Sequence, residues 1–86
     1  MADILRFLGD QSRCTILLLL EQEKKGLYVF DIAKKLSLSH SATSHQLGSL
    51  ETRGLVEHER EGQLMRYVLT KSPLTKQVLA ALKVFK

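Results

Sequence analysis

The spacing of apolar residues changes twice along this chain, and that change restricts the fold more than any other feature. Up to Gly54 the spacing is helical. Leu55 to Glu61 and Gln63 to Thr70 are strand-like on either side of Gly62, the second alternating strictly, and from Pro73 the spacing is helical again. A set of short helices with one small hairpin before the last of them is what such a pattern allows. Length narrows the choice further. Eighty-six residues make one small domain, expected to cover 1–86, with a thin core and a use for a partner subunit as a staple. Large cofactor-binding enzymes are too long to fit. With 44% hydrophobic and 26% charged residues and a single proline, the chain is neither a disordered tail nor a collagen-like or disulfide scaffold.

Ile4, Leu5, Phe7 and Leu8 predict a short amphipathic helix over 2–8, ended by Gly9. Asp10 suits the N-cap of a second helix. This helix carries Cys14 and the run Ile16 to Leu20 and is expected to continue to Lys25, its lysines complementing the dipole before Gly26. Leu27 to Phe30 reads as a short strand or an extended entry. A third helix is expected from about Phe30 to Leu36. After the connector Ser37-Leu38-Ser39, Ser39 caps a fourth helix from His40 to about Arg53, closed by Gly54. Leu55–Glu61 and Gln63–Thr70 form the hairpin, with a tight turn near Glu61-Gly62. Ser72 caps a last helix with Pro73 at its first position. There Leu74, Val78, Ala81 and Phe85 are spaced 4, 3, 4, with Leu82 beside them, a short heptad seam.

The helix over 40–53 has two unlike sides. Thr43, Leu47 and Leu50 fall within about 40° of one another. The opposite side collects Ser41, His45, Gly48 and Thr52, flanked by Ser44 and Ser49. A merely solvated face would carry Lys and Glu instead. Two short helices joined by three or four residues make a helix-turn-helix, over about 30–53, and the hairpin at about 55–70 stands where a wing would. The expected fold is mainly α with a small β-hairpin, in the order α-α-α-α-β-β-α. A major groove admits one such helix, whose Ser, Thr, His and Gln side chains reach base edges or phosphates.

Several runs resemble the arsenical-resistance repressor (ArsR/SmtB) family. They are Leu8-Gly9-Asp10-Gln11-Ser12-Arg13, Val29-Phe30-Asp31-Ile32-Ala33, the string from Leu38 to Leu47, Leu50-Glu51-Thr52-Arg53-Gly54-Leu55-Val56, and Arg60 to Tyr67. The resemblance covers about residues 4–82. It implies a dimeric winged helix-turn-helix regulator of bacteria or archaea, a cytoplasmic repressor that binds double-stranded DNA at a near-palindromic operator. By position it implies that Ser39, His40, Ser41, Ser44, His45 and Gln46 face bases or phosphates, and that Arg60, Gln63 and Arg66 serve the wing. It also implies dimerisation by 2–8 and 73–86, through Ile4, Leu5, Leu8, Leu74, Val78, Ala81, Leu82 and Phe85. Many members sense metal through a Cys-x-Cys at the start of the third helix. Tyr28 and Phe30 stand there in this sequence and ligate no soft metal. Residues 73–86 contain no Asp, Glu, His or Cys. No metal and no cofactor are therefore expected. With Cys14 the sole cysteine, an intrasubunit thiol switch is excluded and a reducing compartment is the natural reading.

Plainer readings compete at several positions. His40 and His58 suit a solvated surface, and His40, His45 and His58 lack zinc-ligand spacing. Cys14 suits a core, and the lysines of the last helix suit a solvated face. The net charge of +4 comes from residues 67–86, all lysines there, whereas Glu57, Glu59 and Glu61 make the wing acidic. Arg60 and Arg66 must then provide the local attraction, for two to four phosphate contacts per subunit at about −0.9 in salt slope each. No nucleophile–base pair, phosphate loop or carboxylate cluster suggests an enzyme. Ser44 and His45 are no dyad, because helix neighbours point about 100° apart. The start Met-Ala-Asp lacks the charged flank of a signal peptide, and the longest apolar run, Ile16 to Leu20, spans no membrane. Two alternatives remain: a winged helix for protein–protein contact, and a DNA-binding sensor of a small molecule or of Cys14 oxidation.

Overall fold

Asp10 starts the first helix as the sequence predicts. In the computed structural model, which describes residue 6 and residues 10–84, its Oδ1 accepts the Ser12 amide at 2.8 Å, filling one of the orphan donors of a helix N-terminus. That helix, α1, covers Gln11–Gln22. Of the expected helix over 2–8 only Arg6 is described, helical and exposed; Ile4, Leu5 and Leu8, and the expected interface residue Phe85, lie outside the described residues.

The end of α1 corrects the sequence reading. The helix stops at Gln22, not Lys25, and Lys24 and Lys25 fall in the following turn. The Glu23 amide still bonds Leu19 O at 3.1 Å, and the Gly26 amide then turns back to Glu23 O at 2.9 Å. The cause is Gly26. At φ 95° it brings the turn against the sheet, where a Cβ would lie 2.6 Å from Val68 Cγ1 and 2.7 Å from Tyr67 O. Only glycine tolerates both the conformation and the contact.

Of the two readings left open for Leu27–Phe30, the strand is realised in part. Leu27–Tyr28 is β1, and Val29 already begins α2, Val29–Leu36. The Tyr28 amide donates to the Asp31 carboxylate at 3.4 Å. Ser37 ends α2 in the left-handed region at φ 56°, and the Leu38 amide closes on Ala33 O at 3.0 Å. Helix α3, His40–Thr52, begins at the expected Ser39 cap, whose Oγ accepts the Ala42 amide at 3.0 Å.

Strands β2, Val56–Glu61, and β3, Leu64–Leu69, form the hairpin. Its loop is Gly62-Gln63, one residue beyond the expected place, with Gly62 at φ 65°. The hairpin is also part of something larger. β1 pairs antiparallel with β3, Leu27 opposite Tyr67 and Tyr28 opposite Arg66, giving a three-stranded sheet in the order β1-β3-β2. Helix α4 covers Pro73–Val84, and Ser72 Oγ accepts the Thr75 amide at 3.2 Å.

The core lies between the helices and the inner face of the sheet. Ile16, Leu17 and Leu20 of α1 meet Ile32, Leu47, Leu50 and Leu55 there. Fully burying each such side chain contributes about 1.5–3 kcal/mol. Val78 belongs to the same cluster, at 2% exposure. This corrects its expected place at a dimer interface: the chain's own core consumes it. Leu74 and Leu82 pack partly against that core, and Ala81 is half-buried. Val84 is 79% exposed. At the joint between α3 and β2, Thr70 reaches across. Its amide bonds Leu55 O at 3.0 Å and its hydroxyl bonds Gly54 O at 2.8 Å.

Candidate nucleic-acid interface

Helix α3 packs by Thr43, Leu47 and Leu50, all with no exposure. The Thr43 hydroxyl is satisfied by Ser39 O at 2.9 Å, so a polar residue sits in the core without an unmade bond. The opposite side carries Ser41, His45 and Thr52, exposed, with Gly48 and Ser49 half-buried. A methyl group on Gly48 would meet nothing within 4 Å. No packing among the described residues asks for glycine in the middle of this helix, where it costs about 1 kcal/mol relative to alanine. The outcome is a smooth, uncharged face with short hydrogen-bonding side chains.

His40 and Ser44 lie at the N-terminal end of α3. Together with Gln63 of the wing loop and the aromatic rings of Tyr28 and Phe30 they line a shallow groove of about 90 Å³. Three expected site residues thus come together from two separate elements. Ser39 is exposed at the helix cap and Arg60 is exposed on β2.

Two expected contacts are engaged elsewhere. Gln46 turns toward α1: its Nε2 donates to Asp10 Oδ2 at 3.3 Å, and its Oε1 is buried. The Ser12 amide chiefly, and the Gln46 amide after it, hold the Asp10 carboxyl below its ordinary range. Arg66 is bound within the sheet. Its Nε donates to Glu61 at 2.7 Å and a terminal nitrogen to Glu59 at 2.5 Å, while the other terminal nitrogen bonds Lys25 O.

Sequence reasoning missed what this arrangement does for the acidic wing. The Tyr28 hydroxyl donates to Glu61 Oε1 at 2.7 Å. Tyr28, followed by Arg66, holds the Glu61 carboxyl below its ordinary range. The same bond to Glu61 raises the Tyr28 phenol, and burial adds to it. Two of the three wing glutamates are therefore compensated locally. The alternation of Glu57, Glu59 and Glu61 signalled the charge, but only the strand register, Glu59 opposite Arg66, supplies the partner. His58 contacts Glu51 of α3 at 2.8 Å and tilts over the Tyr67 ring, 5.2 Å between centroids.

The stacked rings of Tyr28 and Phe30, 5.6 Å apart and 1° from parallel, occupy the places where metal-sensing relatives are expected to carry thiolates. A phenol donating to a carboxylate and a phenyl ring do not fit a soft metal. Among the described residues no three His, Cys, Asp or Glu side chains are grouped to hold one. Burial, and then the Asp10 charge, raise the Cys14 thiol above its ordinary value, away from the thiolate that reacts. No helix among the described residues is long and apolar enough to cross a membrane.

Comparison with known proteins gives a consistent set. The model of the family described as "Bacterial regulatory protein, arsR family" matches residues 10–58. A transcriptional repressor SmtB homolog of Synechocystis sp. is 36% identical over 69 residues, 80% of this chain and 51% of the relative. The cadmium resistance transcriptional regulatory protein CadC of Listeria innocua is 36% identical over 64 residues, 74% of this chain and 53% of the relative. The chain spans about half the length of the curated relatives it matches. Among solved structures, HlyU from Vibrio cholerae superposes with a TM-score of 0.78 at 30% identity, covering 95% of this chain and 86% of that one.

Proposed function

Because the chain belongs to the arsR family of bacterial regulatory proteins, we propose that it is a transcriptional repressor that binds double-stranded DNA as a homodimer. The observation that carries this reading is the exposed side of α3, smooth and rich in short hydrogen-bonding residues where a solvated helix would be charged. Each subunit places α3 in a major groove. Ser41, Ser44 and His45 read base edges. Ser39 and His40 meet phosphates, with the N-terminus of α3 adding its dipole, and Arg60 and Gln63 act from the wing. Gln46 and Arg66 position the helix and the hairpin instead. Leu74, Ala81 and Leu82 of α4, which the single chain covers only in part, join the two subunits, and a two-fold dimer then places half-sites roughly 34 Å apart. Binding proceeds without a metal, since Tyr28 and Phe30 offer no soft ligand.

Selection from random duplex DNA tests this, with reduced, metal-stripped protein at near-physiological salt. The expected product is an inverted repeat. Weak binding with no enriched sequence overturns sequence-specific recognition and favours contact with another protein.

A further inference from the structure

The C-terminal half of α1, the end of β3 and the first turns of α4 surround a cavity of about 320 Å³, within the range of small-molecule sites. Leu20, Val68, Leu69 and Leu79 make its wall apolar. Three lysines line it from three segments: Lys24 after α1, Lys71 after β3 and Lys76 on α4. None of the three forms a salt bridge among the described residues. The one carboxylate of the lining, Glu21, is already held by Lys83 at 2.6 Å. The hydroxyls of Thr70 and Thr75 are bonded to each other and to Ser72.

A hollow with an apolar wall and a surplus of ammonium groups suits neither a cation nor a neutral polar molecule. It suits an organic anion, with hydrocarbon on the leucines and the charge among the lysines. We propose that this cavity binds a small carboxylic acid with a hydrocarbon body. Thr70 connects the site to the DNA-reading elements: it lines the cavity and also bonds Gly54 O and Leu55 O, at the joint between α3 and β2. An occupant leaning on Thr70 and Thr75 therefore loads that joint. This second step rests on the DNA-binding reading above; the binding itself does not.

The test is a titration of the ¹⁵N-labelled full chain with sodium octanoate, and with octanamide as an uncharged probe of equal length, at constant ionic strength. Saturable shifts are expected at Leu20, at residues 68–71 and at residues 75–79, with octanamide about tenfold weaker or more. Lys71→Gln combined with Lys76→Gln is expected to weaken octanoate by about tenfold while octanamide is unchanged. Equal binding of the two probes, or shifts elsewhere on the protein, overturns the site. DNA affinity is then measured with and without octanoate. A change supports the link through Thr70, and no change overturns that link. A chain that binds no DNA at all overturns the regulatory reading alone, because the octanoate shifts are read without DNA.

Discussion

The hydroxyl of Tyr28 donates a 2.7 Å hydrogen bond to Glu61 Oε1, 33 residues further along the chain. It joins the start of the helix-turn-helix to the tip of the wing. Tyr28→Phe removes that donor and little else. Released from it, Glu61 keeps less local compensation, and on the DNA-binding reading proposed above affinity is expected to fall about twofold to fivefold, the scale of an exposed polar pair, with the loss largest at low salt.

The same bond sets a pH dependence. Tyr28 first and Arg66 second depress the folded-state pKa of Glu61 below its ordinary 4.5. The stabilisation is thus fully present above 4.5 and is lost as the pH falls through the lower folded value. Carboxyl NMR titration of Glu61 is expected to give a midpoint below 4.5, moving toward 4.5 in Tyr28→Phe. An unmoved midpoint means that the hydroxyl does not hold the wing.

Gly48 separates stability from recognition. With open space where its Cβ would be, Gly48→Ala is expected to stabilise the fold by about 0.5–1 kcal/mol. It also puts a methyl group on the side of α3 that the proposed function turns toward DNA. Urea melts should show the gain and binding isotherms a loss. A variant that is both more stable and equally tight for DNA would show that this side makes no close approach.

His45→Ala and Ser44→Ala are each expected to cost roughly 1–3 kcal/mol of binding and to relax base preference. Gln46→Ala, on the same helix, is expected to keep base preference, because its amide serves Asp10. Repeating the duplex selection with all three variants distinguishes the roles, and a changed motif for Gln46→Ala returns that residue to the interface.

Two substitutions on α4 separate core from partner. Val78→Ala opens a hole in the core and is expected to lower stability by about 2 kcal/mol. Val84→Asp, at a side chain 79% exposed, lies off the buried core and is expected to weaken the homodimer proposed above. Sedimentation at matched concentrations reads the second effect, and an unchanged dimer removes this end of α4 from the subunit interface.

The local signals were legible wherever one residue decides the outcome. Asp10, Ser39 and Ser72 cap the helices they were expected to cap, and Gly62 turns the hairpin. The inward turn of Gln46 toward Asp10 was legible in the spacing: Thr43, Gln46, Leu47 and Leu50 follow the i, i+3, i+4, i+7 stripe that packs inward. Arg66 was not legible, because its partners depend on strand register and on the approach of the Lys25 turn. Val78 was ambiguous in principle. A seam that faces the chain's own core and one that faces a second copy have the same spacing in sequence.

Thr70 grips Gly54 O and Leu55 O at the point where α3 gives way to β2. The end of the helix and the start of the hairpin are thereby tied through one residue. On the DNA-binding reading proposed above, the offset between helix and hairpin is then set within one subunit as it folds. On that reading, an occupant of the neighbouring cavity, which Thr70 also lines, acts on how one subunit presents its helix and hairpin together.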